Sequence, residues 1–362
     1  MKNKIVTILG ARPQFVKAAV LSRIIKKYDV VNEVIVHTGQ HFDANMSAVF
    51  FNEMQIPKPN YNLAIHSLSH GAMTGQMLEN IEEILLKEKP NAVVVYGDTN
   101  STIAGALAAK KLHIKVVHIE AGLRSFNNKM PEEINRIVTD RISDLLSCPT
   151  DNAIDNLKKE GFLNMDITIE KHGDIMKDAV EFYKKVAAQK STIIEELDLV
   201  ENEFVLATIH RQENTDDEQN LKNIFETLEK VHQEKQVVLP LHPRTKKQLS
   251  KYNLSSNITL IEPVGYFDML TLLSNCNMVI TDSGGLQKEA FFNKKHCVIV
   301  REETEWVELV DNGFAKVVAS IPSKILEAFH QFKNSSIDFN IDLYGDYVGE
   351  KIYQSILNLI KE

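Results

Sequence analysis

Residues 91–122 read NAVVVYGDTNSTIAGALAAKKLHIKVVHIEAG, and their pattern decides the fold. Asn91–Tyr96 is a short Val-rich run that stops at Gly97, Thr102–Leu112 is an Ala-rich helical stretch, and Lys115–Ile119 is a second apolar run. Strands that are apolar throughout, joined through a helix, belong to a parallel sheet covered on both faces. The same alternation extends outward in both directions. Candidate strands are Lys4–Leu9 and Glu33–Thr38 upstream, then Glu203–Ile209, Gln236–Leu241, Ile258–Ile261, Met278–Thr281 and His296–Val300 downstream. Helical patterns lie between them at Gln14–Lys27, His70–Lys87, Glu132–Leu146, Leu221–Gln233 and Gly285–Asn293. The series runs twice, so the expectation is α/β: two doubly wound Rossmann-like domains, residues 1–170 and 171–362. Asp166–Gly173 is read as the crossover, and a final helix at 347–360 is free to pack back on the first domain.

Composition narrows the function. The chain has 362 residues, 44% hydrophobic and 25% charged, enough for full cores. Its formal charge of −8, from 41 basic and 49 acidic side chains, weighs against a nucleic-acid partner. Cys148, Cys276 and Cys297 are far apart and odd in number, which reads as reduced thiols in a cytoplasmic protein. The apolar run Ile5 to Leu9 is too short for a signal peptide, and no run approaches the ~18 residues a membrane span needs.

The informative residues stand where strands end. Gly10, Arg12 and Lys17 follow the first strand, and His37, Gln40 and His41 end or follow the second. Gly97-Asp98-Thr99 and Glu120-Ala121-Gly122 follow the next two. In the second half come His210-Arg211, His242-Pro243-Arg244, Asp282-Ser283-Gly284-Gly285 and Arg301-Glu302-Glu303. Open parallel sheets bind ligands beyond the carboxyl ends of their strands, so two facing sheets would gather these groups around one cleft. Each has a bland reading too. Asp98 could cap the helix near Thr102, and His210 and His242 could be structural. Glu132 and Glu133 suit a first helical turn, and Glu132 with Arg136 is an i,i+4 pair. Glu120 has no obvious helix to cap. Thr281–Gly285 runs from a strand into a helix through small residues, which lets backbone N–H groups reach a phosphate. Glu289 lies one turn on, placed for a ribose hydroxyl or for solvent.

Absences count as well. Gly10-Ala-Arg-Pro-Gln14 is not GxGxxG, Gly10 to Lys17 is not a Walker loop, and Ser283 is not in GxSxG. No HExxH, paired CxxC or EF-hand spacing occurs, so neither a catalytic metal nor a nicotinamide cofactor is expected.

The motifs GARPQFVK, HTGQHFD, YGDTNST, HIEAGLRSF, MPEEINR, TIHRQEN, LHPRT and TDSGGLQKEA, in this order, resemble the non-hydrolysing UDP-N-acetylglucosamine 2-epimerases. The resemblance implies the two-domain GT-B fold, a UDP-2-acetamido sugar between the domains with UDP mainly on the second, a homodimer and a role in surface polysaccharide synthesis. It implies catalytic roles for Asp98, Glu120, Glu132 and His210, and substrate or phosphate contacts for Arg12, Arg136, Ser283 and Gly284. Glu289 matches the ribose-binding glutamate. Gln40, His41 and His242 match positions tied to the substrate or to a second, regulatory nucleotide-sugar site; Lys17 and Gly285 stand among the candidate binding residues. The chain departs from the common pattern at Thr304-Glu-Trp-Val-Glu308, where Thr-Glu-Arg-Pro-Glu is usual, and at Gln287-Lys-Glu289, where Gln-Glu-Glu is usual. With LATIHRQENTDD and HGDIMKDA, these features resemble the branch acting on UDP-2,3-diacetamido-2,3-dideoxy-glucuronic acid. The missing arginine weighs against allosteric control by UDP-N-acetylglucosamine, and Trp306 is read either as a specificity element or as a packing anchor.

The expected chemistry is elimination of UDP to a 2-acetamido-glycal, followed by re-addition. This needs a base and an acid on opposite faces of carbon 2 and cations at the departing diphosphate. Rival readings are a UDP-sugar glycosyltransferase of the same fold, a hydrolysing relative, and a non-catalytic nucleotide-sugar sensor.

Overall fold

The computed structural model describes residues 2–40, 51 and 55–361. It divides into two compact units: Met1–Ala179 with Asp342–Glu362, and Val180–Ile341.

The first unit is built on a parallel sheet of seven strands among the described residues. They are β1 (Asn3–Leu9), β2 (Val31–His37), β3 (Tyr61–Asn62), β4 (Ala92–Tyr96), β5 (Lys115–Ile119), β6 (Leu145–Cys148) and β7 (Thr168–Lys171), in the order β3-β2-β1-β4-β5-β6-β7. Val6 of β1 lies level with Val34 of β2 and Val93 of β4. The inward side chains Val6, Ile8, Val36, Val93 and Val95 pack on Met77, Ile81 and Leu85 of the helix His70–Glu88 and on Ala104 and Ala108 of Asn100–Lys111. Small alanines explain how that second helix fits so close to the sheet.

The second unit repeats the plan with six strands: β8 (Phe204–Thr208), β9 (Gln236–Pro240), β10 (Thr259–Ile261), β11 (Met278–Thr281), β12 (His296–Ile299) and β13 (Ala315–Val317), ordered β10-β9-β8-β11-β12-β13. Val205, Ala207, Val237, Leu239, Ile280 and Val298 form its core with Ile224 and Leu228 of the helix Glu218–Glu234 and Phe329 of Pro322–Lys333. In each sheet the strand order reverses once, between β1 and β4 in the first and between β8 and β11 in the second. Such switch points open a crevice at the strand ends, because the loops leaving the two strands turn to opposite faces.

Several details differ from the sequence expectation. The pattern Glu132–Leu146 is not one helix: the helix is Pro131–Ile142, and Leu145–Cys148 is β6. Asp144 breaks it by donating its N–H to the Val116 carbonyl and accepting the Val116 N–H on its carboxylate, both within the reach of a normal hydrogen bond (2.9 and 2.8 Å). Asp166–Gly173 contains β7, an edge strand of only four residues whose sequence TIEK lacks an apolar run. β3 and β13, of two and three residues, are likewise edges that no hydrophobic period announces. The helix Val348–Leu359 belongs to the first unit. Its Tyr353 stacks on Tyr28 (centroids 5.4 Å apart), and Glu350 pairs with Lys27 at 2.9 Å. The division between units falls inside the helix Ile175–Lys190.

Candidate active site

The first switch point is tied together by one side chain. Gln14, on the first turn of the helix Arg12–Tyr28, accepts the N–H groups of Gly10 and Ala11 (2.8 and 3.0 Å). Its amide nitrogen donates to the Tyr96 carbonyl and to the hydroxyls of Thr99 and Thr102 (2.7–3.0 Å). The loop after β1 is thereby fastened to the loop after β4. Gly10 is glycine because a Cβ there would sit 2.0 Å from the Ser101 hydroxyl and 2.3 Å from that of Thr38. Ser101 in turn donates to the Gln40 side-chain oxygen Oε1 through its N–H and hydroxyl (3.1 and 2.8 Å).

The carboxylates stand on this frame. Thr99, not Asp98, caps the helix Asn100–Lys111, its hydroxyl accepting the Thr102 N–H. Asp98 is left to the guanidinium of Arg136, with contacts of 2.8 and 3.0 Å. Glu120 follows β5 with φ +71°, the left-handed region that a glutamate enters only at a cost. Its carboxylate is paired with the buried Lys17 ammonium and lies against Gly97, the residue before Asp98. Two ion-paired carboxylates therefore follow the adjacent strands β4 and β5, and Arg12 opens the helix that carries Lys17.

Glu132 is exposed on the first turn of Pro131–Ile142. The ion pair expected between Glu132 and Arg136 is made instead by Glu133, whose carboxylate is buried, accepts the N–H groups of Ser125 and Phe126, and meets Arg136 at 2.5 Å. Those backbone donors draw Glu133 inward and leave Glu132 outside.

Beneath Glu120 runs a buried polar chain that sequence reading missed. His118 of β5 has both ring nitrogens 2.7 Å from oxygens, Nε2 at the Gly97 carbonyl and Nδ1 at Asp140. The other Asp140 oxygen accepts from Arg124 (2.7 Å) and the Gly122 N–H (3.1 Å), and Arg124 clasps Glu160 in a bidentate pair. Burial pushes the Asp140 carboxyl up, but the His118 bond and the Arg124 charge outweigh it and hold it below the ordinary aspartate range. This chain anchors both flanks of Glu120 and the carbonyl of Gly97. No sequence spacing marks His118, Arg124, Asp140 and Glu160 as partners.

At the second switch point Asp282 plays the matching part. Fully buried after β11, it accepts the N–H groups of His210 and Arg211 and the Asn214 side-chain amide (2.9–3.1 Å). Its Oδ1 lies 3.3 Å from His210 Nδ1, which leaves Nε2 presented outward. His242 caps the helix Pro243–Lys251, accepting the Arg244 N–H at 3.2 Å, with its ring 5.5 Å from that of His210. So His242 has a structural duty beside any binding one.

Ser283 precedes the helix Gly284–Phe292 without its hydroxyl capping it. Neither glycine there is required by the fold: a Cβ at Gly285 would meet nothing within 4 Å, and one at Gly284 would make ordinary contacts at 3.6–3.8 Å with Arg301, Arg211 and Glu305. Glycine costs a helix about 1 kcal/mol relative to alanine. Two in a row open this helix with no side-chain cap, beside the Arg301 and Arg211 guanidinium groups and the Glu305 carboxylate that pairs with Arg301. Glu289 is buried (8% exposed), which removes its solvent-facing reading. His41 lies outside the described residues.

Cys148, Cys276 and Cys297 are buried free thiols; burial pushes Cys276 up to about 12 and the other two upward as well. Among the described residues no group of three or more His, Cys, Asp or Glu side chains is arranged to hold a metal ion. No described helix is long and apolar enough to cross a membrane.

Comparison with known proteins gives a consistent result. The profile of the family described as UDP-N-acetylglucosamine 2-epimerase matches residues 23–360. A Pseudomonas aeruginosa protein named UDP-2,3-diacetamido-2,3-dideoxy-D-glucuronate 2-epimerase is 52% identical, across 94% of this chain and 96% of its own length. A Methanococcus maripaludis UDP-N-acetylglucosamine 2-epimerase homolog is 49% identical over 98% of this chain and 100% of itself. The crystal structure of Methanocaldococcus jannaschii UDP-GlcNAc 2-epimerase, in complex with UDP-GlcNAc and UDP, matches with a TM-score of 0.88 at 41% identity, covering 98% and 99% of the two chains.

Proposed function

The chain belongs to the UDP-N-acetylglucosamine 2-epimerase family, and from that premise we propose that it interconverts the 2-epimers of a UDP-2-acetamido sugar without hydrolysing it. Carbon 2 of such a sugar has no neighbouring carbonyl, so its proton is not acidic enough for enolisation. Departure of UDP from carbon 1 as that proton leaves gives a 2-acetamido-glycal; re-addition with protonation from the other face gives the epimer. The observation that supports the reading is a pair of carboxylates at the ends of the adjacent strands β4 and β5, Asp98 against Arg136 and Glu120 against Lys17. A carboxylate is the group such chemistry uses to take a proton. Asp98, Glu120 and Glu132 share the proton work in this reading, and His210 faces the diphosphate.

UDP belongs to the second unit in this reading. Its diphosphate takes the uncapped turn Ser283–Gly285 and the Arg211 side, and the ribose takes Glu289. Arg12, Gln40 and Arg136 serve the sugar, and the enzyme works as a cytoplasmic homodimer for surface polysaccharide synthesis. The substrate we favour is UDP-2,3-diacetamido-2,3-dideoxy-glucuronate, supported by the 52% identity to the Pseudomonas enzyme of that name.

The test is incubation in heavy water with that substrate and, separately, with UDP-N-acetylglucosamine, following carbon 2 by proton NMR. Deuterium entering at carbon 2 with the manno epimer supports elimination and re-addition, and the faster substrate names the branch. No exchange on either, with slow UDP release or none, overturns the epimerase reading in favour of a transferase or a sensor.

A further inference from the structure

Lys288 and Trp306 stand in two of the segments where the sequence departs from the motifs it resembles, and they touch. Lys288 is buried (2% exposed) on the helix Gly284–Phe292, with its Nζ 3.7 Å from the centroid of the buried Trp306 ring. The indole N–H donates to the Gly284 carbonyl at 3.1 Å. Thr304 joins the two ends, donating its hydroxyl to the Gln287 side chain while accepting the Trp306 backbone N–H. An ammonium over an indole face is drawn to the negative face of the ring, more strongly where water is excluded. It therefore fixes the ring plane, the plane fixes the direction of the N–H, and the N–H fixes the peptide that opens the glycine turn.

Resting on the reading that UDP's diphosphate sits at that turn, we propose that Lys288 and Trp306 are one positioning unit for the diphosphate site, whose joint charge pattern sets how tightly UDP is held. Neither residue need touch the ligand. Together they hold the Gly284 peptide, which lacks a capping hydroxyl, in the orientation the anion requires. Charge dictates how the pair tolerates change. K288E alone sets a carboxylate against an electron-rich ring, and W306R alone sets two cations together. K288E/W306R restores opposite charges, and a guanidinium can still donate to the Gly284 carbonyl.

The experiment is UDP titration calorimetry with thermal unfolding, on wild type, W306F, K288R, K288E, W306R and K288E/W306R. W306F keeps a ring and loses the N–H, so UDP should bind about tenfold more weakly, with KM raised and kcat within about twofold. K288R keeps a cation over the ring and should stay within about threefold of wild type. K288E and W306R alone should each cost at least about thirtyfold, and K288E/W306R should recover most of that loss. Wild-type affinity in W306F, or a double variant no tighter than its weaker parent, overturns the proposal. So does a drop in melting temperature with affinity unchanged, which would make the pair packing only. If W306F does not fold, the contrast of K288R with K288E and the double variant decides. A wild-type protein that binds no UDP overturns the functional reading itself, whereas UDP binding indifferent to all five variants overturns only this inference.

Discussion

Replacing Asp140 by asparagine tests whether the buried chain under Glu120 holds the first unit and its chemistry together. Three donors converge on this carboxylate: His118 and Arg124, both at 2.7 Å, and the Gly122 N–H at 3.1 Å, and the side chains of Asp140, His118 and Arg124 are no more than 1% exposed. Asparagine keeps one oxygen, turns an N–H toward a donor, and leaves the buried guanidinium short of a counter-charge. Breaking a buried pair from one side costs about 3–5 kcal/mol, and the near-isosteric change belongs at the lower end, about 3 kcal/mol. At about 2–4 °C per kcal/mol, the first unit should melt roughly 10 °C lower. Turnover should fall as the Gly97 and Glu120 loops relax, while UDP affinity stays near wild type. The pH dependence carries a sign. Asp140 titrates below the ordinary aspartate value of 3.8, so its contribution is complete above that value and lost as pH falls through its lower folded one. The gap in stability between wild type and D140N should be constant near neutrality and close in strong acid. A melting shift under about 3 °C, or a gap that widens in acid, would refute the reasoning.

Four further outcomes follow from the same geometry. Asp282→Asn should weaken UDP binding and lower the melting point of the second unit, by about 2–3 kcal/mol for three mispaired donors; an unchanged affinity would separate Asp282 from His210's duty. Glu120→Gln should collapse turnover, read by heavy-water exchange, with UDP affinity intact, and wild-type exchange would remove Glu120 from the proton work. Glu289→Gln should raise the Kd for UDP more than it lowers kcat, a split that calorimetry and initial rates measure directly. Burial pulls His37 down to about 4 from 6.5, so the folded state binds fewer protons than the unfolded chain between those values. Stability should therefore drop by about 2–3 kcal/mol as pH falls through that window, and H37F should flatten that limb in urea titrations.

The centres of both sheets were legible because β1, β4, β5, β8 and β11 are largely buried and read as near-continuous apolar runs, with Thr7 and His118 among the buried exceptions. The edges were not. β3, β7 and β13 are short and half-wet, and β6 hid behind a helical period that Asp144 interrupts. Strand-end polar residues were legible for the same topological reason: Asp98, His210 and the Ser283–Gly285 turn stand at the two switch points, and Glu120 follows the next strand, β5. What sequence could not give is who holds them. Gln14 lies inside the GARPQ motif and Asp282 inside TDSGG, yet nothing in either motif says that one side chain collects five bonds or three. Glu132 and Glu133 are adjacent and chemically identical. Only the position of the Ser125 and Phe126 N–H groups decides which goes inside. Likewise Lys288 and Trp306 are two isolated oddities in the sequence and one contact in space.

The return of residues 342–361 to the first unit has a consequence for how the protein is made. Tyr353 stacks on Tyr28, Lys115 donates to the Leu359 carbonyl, and the Gly173 α-carbon sits so close to Tyr344 that a Cβ would approach its carbonyl oxygen at 2.1 Å. The first unit is thus discontinuous in the chain, and its last piece leaves the ribosome after the whole of the second. Val180–Ile341, though later in sequence, can complete its own fold first, while the N-terminal sheet waits with one helical flank uncovered. For that interval the surface around Tyr28 and Val20, which Tyr353 and Gly349 of the last helix cover in the finished fold, is the nascent chain's exposed apolar seam, where a stalled or truncated chain would aggregate.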